Sequence, residues 1–386
     1  MFKGSRQKFF SLLPIGVIVA LVAIIGVAIM PGLAYRFNTT VLNASTDTVV
    51  WGYFAADIPP VLNIKSGQVV TIDTVSAAGL QTGDDPIEFF GRYGIPPEQV
   101  LPELVEIQAV EQPRVGPHII TGPIYIEEAE PGDMLEVRVL DIKVRTPYGV
   151  NLSGPGLGVL PNLLRERVVK VIPFNDRRTE ALFSEEITVP LAPFMGIMGV
   201  SPPPEKGRVS SVPPAAWGGN LDDKELTKGS TLYLPVFTKG ALFFTGDAHA
   251  AQGDGEVNIT AIETSLTPTL QFILHKGVNI SGPRAETPTH YIAMGLDPDL
   301  DEALKLSIQE TINFLQQEKG LSVADGYSLA SIAVDYEVAE AVDQTEIIHG
   351  LIPKNIFASN PPYWAEDPQY RDRRRDTKPS VNRKLW

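Results

Sequence analysis

The stretch Ala241-Leu242-Phe243-Phe244-Thr245-Gly246-Asp247-Ala248-His249-Ala250-Ala251-Gln252-Gly253-Asp254-Gly255-Glu256 passes from an apolar run into a dense set of polar groups. Three carboxylates, an imidazole and a carboxamide lie between Asp247 and Glu256, separated only by Gly and Ala. Small residues leave the backbone free to turn tightly and bring polar side chains into one pocket. Apolar residues 241–244 precede the cluster, and Val257-Asn258-Ile259-Thr260-Ala261 follows it with strict alternation. Alternation of this kind predicts strands on both sides. A polar cluster held between two core strands of a β-rich protein is expected to be a site.

The remaining composition agrees with that class. The 386 residues suffice for one large core or two ordinary ones. The 33 Pro and 33 Gly are spread along the chain rather than gathered into linkers, which predicts a turn-rich, mainly β body. Net charge is −14, but residues 1–36 carry +4 and residues 371–386 carry +5, leaving −23 between them. Such a body is a poor match for nucleic acid, whose phosphates call for a positive surface. The absence of Cys excludes disulfides, Cys-bound zinc, iron–sulfur clusters and thiol nucleophiles.

Lys3, Arg6 and Lys8 precede an uncharged run from Phe9 to Tyr35. Its length is sufficient to span a bilayer, and the flanking charges predict a cytoplasmic N-terminus. The expectation is an uncleaved transmembrane anchor with the body outside the cytoplasm, or secretion if the segment is cleaved near Pro31-Gly32-Leu33-Ala34. The chain is thus read as an N-terminal anchor or signal segment (1–36), a body (37–358) and a Pro-rich, basic tail (359–386), disordered or draped over the surface.

Within the body, strands are expected at 48–54, 69–74, 124–126, 135–142 and 230–236, with strand pattern continuing to about Leu274. Glu130-Pro131-Gly132-Asp133 reads as a turn. Residues 190–220 are rich in Pro and Gly and read as irregular. Asp297-Pro298 suggests a helix start, Leu304, Ile308, Ile312 and Leu315 recur at helical spacing, and Gly320 stops the run. Ser322-Val323-Ala324-Asp325 resembles a capping box opening a second helix.

Asp247 and His249 would share one face if they end a strand, a pair suited to a divalent metal or to a base with its orienting acid. Gly253-Asp254-Gly255 also fits a hairpin turn. Counting parity along 257–263 puts Glu263 on the apolar face, where a carboxylate needs pairing, metal or a proton. His118 lies in another Gly/Pro-framed segment, followed by Glu127 and Glu128, whereas His275 and His349 read as core or structural histidines. No Gly-x-Ser-x-Gly elbow, His-Glu-x-x-His helix or phosphate loop is present.

Together these segments resemble the acetamidase/formamidase family. The resemblance rests on 246–256, Leu232–Val236, Ala261-Ile262-Glu263, Thr121–Glu127 with Pro131-Gly132-Asp133, and Pro193–Gly199. Gly218-Gly219-Asn220-Leu221-Asp222, Ala324–Ser331 and Ile352-Pro353-Lys354 also carry it. It implies a β-sandwich or barrel body with C-terminal helices (a β-rich α+β fold), self-association, and hydrolysis of short aliphatic amides such as formamide or acetamide to acid and ammonia. It also suggests a divalent metal, zinc ahead of calcium. On residue type, His118, Asp247, His249 and Glu263 are assigned as metal ligands. Glu256, Glu127 and Asp254 are assigned to catalysis, and Asn220 and Gln252 to substrate binding. Two departures stand out: the apolar N-terminal run, and Val75-Ser76-Ala77-Ala78-Gly79, which lacks the acidic or histidine side chains expected there. The competing expectation is an extracytoplasmic metal- or ligand-binding β-protein without catalysis.

Overall fold

The computed structural model describes residues 39–361 and 363–365. Two large sheets supply its frame. The first runs Thr40–Leu42, Val69–Ile72, Leu266–His275, Met134–Val144, Thr231–Pro235, Arg284–Glu286, His290–Asp297, Glu346–Pro353 and Asp335–Glu340 in hydrogen-bonded order. The second runs Gly218–Asn220, Phe194–Val200, Phe243–His249, Glu263–Thr264, Tyr148–Ser153 and Val168–Pro173. Ile119–Ile126 branches from the Phe243–His249 strand and pairs in turn with Val49–Trp51 and Leu62–Ile64.

Leu266–His275 shows why these segments form a sandwich. Every second residue is buried along its whole length, so one face can be apolar while the other is not. Val70, Leu135, Val137, Leu232, Leu270 and Phe272 of the first sheet meet Ile124, Met195, Met198 and Phe243 of the second in one core. Phe243 and Phe272 pack edge to face with centroids 5.0 Å apart. Each such side chain contributes about 1.5–3 kcal/mol by leaving water.

Several expectations need correction. Residues 190–220 are irregular only in part: Phe194–Val200 is a fully buried strand, and Gly218–Asn220 pairs with it. Its Gly and Pro content concealed a strand that has no solvent face to alternate with. Residues 257–261, whose alternation predicted a strand, form turns instead, and the strand is the short Glu263–Thr264. Ile259 sits there at φ +92°, incompatible with strand geometry.

The first long helix starts at Leu300, two residues later than Asp297-Pro298 suggested, because the Asp299 carboxylate accepts from Asp301 N and Glu302 N. It ends at Gly320 in the left-handed conformation, as expected. Ser322 caps the Val323–Ala333 helix by accepting from Asp325 N. Helices are not confined to the C-terminal part, since Pro86–Gly91 and Pro102–Ala109 cover Tyr148 and Val150.

The tail is docked where it is described. Tyr363 and Trp364 are buried, with Trp364 Nε1 donating to Thr231 Oγ1 at 2.7 Å and Tyr363 OH donating to the Glu286 carbonyl at 2.9 Å. Among the described residues no helix is long and apolar enough to cross a membrane. The 9–35 run and the basic end of the tail lie outside the described residues.

Candidate active site

The Phe243–His249 strand ends beneath a cluster of carboxylates. His249 is wholly buried, and its Nε2 lies 3.2 Å from Glu263 Oε1, 3.4 Å from Asp247 Oδ2 and 3.9 Å from Glu256 Oε1. Strand pairing accounts for Glu263, which stands directly opposite His249 in register. Across the other edge Phe194 is the register partner of His249, and its ring holds the imidazole edge to face at 5.1 Å. Gln252 Oε1 lies 2.8 Å from His249 Nδ1, while its Nε2 donates to the Asp222 carbonyl at 2.6 Å. With Nδ1 serving as donor to Gln252, Nε2 is turned to the carboxylates, and no hydrogen-bond partner meets it.

Asp222 and Asp343 complete the cluster. The segment after Gly218–Asn220 returns along Phe194–Val200, and Asp222 N donates to the Gly196 carbonyl at 3.2 Å. A Cβ on Gly196 would sit 2.3 Å from Asp222 Oδ1 and 2.9 Å from Asp247 Oδ2, so only glycine admits both acids. Asp343 accepts from Asn220 Nδ2, and its backbone N–H donates to Glu340 Oε1 at 2.7 Å. Asp222, Asp247 and Glu256 all hold left-handed backbone, at φ +43°, +48° and +44°. Such conformations cost roughly 1–3 kcal/mol each and concentrate at functional sites.

The electrostatics are lopsided. Both Asp222 carboxylate oxygens are buried without a hydrogen-bond partner, as is Asn220 Oδ1. At about 4 Å and an effective dielectric near 20, two like charges repel by about 4 kcal/mol. Burial first, and then Glu256 and Asp247, push the Asp222 carboxyl well above its usual range. Burial and the Glu263 and Asp247 charges do the same to Glu256 against the opposing His249. Asp247 is the exception: burial acts to raise it, but His118 and His249 hold it below the ordinary value. The His249 imidazole would be lowered by burial, yet Glu263 and Asp247 raise it strongly.

Asp222, Asp247 and His249 place ligand atoms within 4.8 Å of one another, as do His249, Glu256 and Glu263, and Asp222, Glu256 and Asp343. An unpartnered imidazole nitrogen ringed by Asp247 and Glu263, with the orphaned Asp222 oxygens nearby, fits a divalent cation, which would supply the missing charge.

Of the residues singled out by sequence, Asp247, His249, Glu256 and Glu263 therefore converge. Gln252 is adjacent, but both ends of its amide are engaged in holding His249 and the Asp222 segment. Asn220 is engaged with Asp343. His118 lies at the rim, with Nε2 3.9 Å from Asp247 Oδ2 and Nδ1 2.8 Å from Ser211 Oγ. Glu127 is not brought in: it is exposed just past the far end of the strand that begins beside His118. A general base needs hydrogen-bond reach, which excludes it from this cluster. Asp254 does not face His249 either; it pairs with Lys224 at 2.5 Å and groups with Glu337 and His349. Asp222 and Asp343 were missed by sequence reasoning. One signal was available for Asp222, which closes the Gly218-Gly219-Asn220-Leu221-Asp222 segment that carries the family resemblance; nothing local marks Asp343.

Residues 106–210 and 204–359 match the acetamidase/formamidase family. The chain belongs to that family. A formamidase of Methylophilus methylotrophus is 25% identical over 252 residues, covering 52% of this chain and 58% of the relative. The chain spans less than two-thirds of the length of the curated relatives it matches. The crystal structure of an acetamidase from Bacillus halodurans is 29% identical with a TM-score of 0.68, covering 82% of this chain and 98% of that one. An acetamidase from Yersinia enterocolitica has 27% identity and a TM-score of 0.70, with coverage of 85% and 96%. The β-rich acetamidase/formamidase fold with few helices is therefore established for the body, and its buried acid–imidazole cluster lies within the matched region.

Proposed function

We propose that this chain hydrolyses short aliphatic amides to a carboxylic acid and ammonia. The observation that carries the reading is the buried, unpartnered Nε2 of His249 ringed by Asp247, Glu256 and Glu263, in a chain whose relatives are named formamidase and acetamidase. His249, Asp247 and Glu263 would hold a divalent cation, zinc being favoured by the imidazole and calcium remaining the alternative in an oxygen-rich setting. When bound, such a cation polarises the amide carbonyl and acidifies water.

The chain's own groups do the rest. Gln252 fixes the His249 tautomer, so that Nε2 faces the carboxylates. Glu256, nearly buried and close to the imidazole, takes a proton from attacking water and delivers it to the departing nitrogen. Burial keeps its proton affinity high enough for that exchange. A small cavity, with room for about one water, is lined by Ala78, Phe90, Leu104, Tyr148, Val150 and Glu263 and abuts the cluster on the side where a short acyl group would lie once the cavity opens. From the Val75–Gly79 departure noted in the sequence, Ser76 and Ala78 contribute small uncharged wall to it.

The test is ammonia release by the chain across amides from formamide upward, with and without prior chelation. Chelator-sensitive release supports the reading. A folded, metal-replete protein that releases no ammonia from any amide overturns it in favour of a binding protein. Two further parts of the reading concern context. The basic-flanked apolar run 9–35 supports an anchor or signal segment with the body outside the cytoplasm, tested by protease accessibility on intact cells. Self-association, suggested by the family resemblance, is tested by light scattering.

A further inference from the structure

A second buried imidazole has no role in the cluster above. His349 lies in the Glu346–Pro353 strand directly opposite Glu337 of Asp335–Glu340, so both side chains project from the same face. It is fully buried, and neither ring nitrogen makes a hydrogen bond. Nδ1 lies 3.1 Å from Asp223 Oδ2, and Nε2 lies 3.7 Å from Glu337 Oε2. Asp254 closes the group, bringing ligand atoms of Asp254, Glu337 and His349 within 4.8 Å of one another. Asp223 Oδ2 and Asp254 Oδ1 are also buried without a hydrogen-bond partner. The Glu337 side chain is 42% exposed, so the group reaches solvent on that side.

We propose that Asp254, Glu337 and His349 form a second divalent-cation site, separate from the His249 cluster, with Asp223 orienting the imidazole. A carboxylate on one ring nitrogen, with a second beside the other and a third in the same group, is the arrangement by which an outer acid fixes a metal-binding histidine. One imidazole with carboxylates suits zinc or manganese. Lys224, which reaches Asp254 Oδ2, offsets only part of the local negative charge, since Glu225 adds to Asp223, Asp254 and Glu337.

The site has a mechanical consequence. Gly255 N donates to the Ala339 carbonyl at 3.0 Å, and Ala341 N donates to the Gly255 carbonyl at 3.2 Å. This stitches the Asp254–Glu256 segment to the end of the Asp335–Glu340 strand. Asp223 directly follows Asp222. A cation bound here ties down both segments that present Asp222 and Glu256 in left-handed backbone, and it does so whether or not the amidase reading holds.

The experiment uses the full chain, stripped by chelation and then titrated with zinc alone, with bound metal counted by elemental analysis after dialysis. Two equivalents are expected for the wild type and one each for Glu337→Gln and His349→Gln. Glu263→Gln is expected to keep the equivalent that Glu337→Gln loses. If His349→Gln fails to fold, Glu337→Gln alone decides, because its side chain is partly exposed. Equal stoichiometry in wild type and Glu337→Gln overturns the proposal. So does a single wild-type equivalent lost in Glu263→Gln, which would leave His349 as a protonated partner of Asp223. Two bound equivalents without ammonia release would instead break the amidase reading and leave this site standing.

Discussion

Two groups of buried acids in this molecule are built on opposite terms. Around the turn at Glu130–Asp133, every buried carboxylate is answered. Asp133 accepts from Lys276 Nζ at 2.6 Å, Gly277 N at 2.8 Å and Glu130 N at 2.8 Å. Glu136 accepts from Arg138 at 2.5 Å and lies 2.6 Å from His275 Nε2. At the end of the Phe243–His249 strand, by contrast, five acids crowd together with one imidazole, and both Asp222 oxygens have no hydrogen-bond partner. Both groups are buried and acidic, so burial alone separates nothing. Pairing does: an answered carboxylate stabilises the fold, whereas an unanswered one is held ready for a ligand.

The contrast breaks first at Asp247. Asp247→Asn is expected to abolish cation binding and to lower kcat on the order of 10³-fold, about 4 kcal/mol of barrier. The metal-free protein should lose little stability beyond the pairing with His118 and His249, which hold this carboxyl below its ordinary value. A large fall in the melting point of the stripped variant would place Asp247 with the structural acids instead.

Removing the cation should come next in size. A ligand present at 100 times its Kd stabilises the folded state by about 2.7 kcal/mol, so chelation should lower the urea midpoint and with it the unfolding free energy by about that much. An unchanged midpoint would mean that the unanswered acids need no ligand.

On the answered side, Asp133→Asn is expected to cost about 2 kcal/mol at pH 7 with amide hydrolysis unaffected. Burial acts to raise this carboxyl, but Lys276 and two backbone donors hold it below the ordinary 3.8. A depressed folded-state value stabilises above the unfolded value and loses that contribution as pH falls through the folded one. The gap between variant and wild type should therefore close as pH drops below about 4. A gap that persists there would show that packing, not charge, is lost.

The smallest effect concerns the cavity beside Glu263. Ala78→Leu should fill it and raise KM for acetamide by about 1 kcal/mol, several-fold, while formamide, which lacks the methyl group, is less affected. Equal effects on both amides would remove the cavity from the substrate's path.

The sequence made half of the cluster legible, for a physical reason. Asp247, His249 and Glu256 lie in one Gly/Ala-framed run, so little besides local turning is needed to gather them. Glu263 was reached through a parity count along residues 257–261, which form no strand; its true position comes from pairing opposite His249. Asp222 and Asp343 arrive from distant segments, and only the order of strands in the second sheet and the Asn220–Asp343 contact bring them in. Similarly, the fully buried Phe194–Val200 strand offers no alternation to read, whereas the caps at Gly320 and Ser322 are local chemistry and were visible at once.

The left-handed backbone at Asp222, Asp247 and Glu256 bears on how any mutational survey of this site must be designed. Aspartate and asparagine tolerate that conformation better than most residues, and alanine has no side-chain hydrogen bond with which to sustain it. An alanine scan would therefore blend two quantities, lost charge and a changed cost of holding the turn, and the second could let the loop swing away. Amide substitutions keep shape and local bonding nearly constant and isolate the charge. Glycine would do the reverse, easing the turn while deleting the side chain. Read side by side at each position, the amide and glycine variants would separate how much of the site's potency resides in its anions and how much in the contorted main chain that aims them.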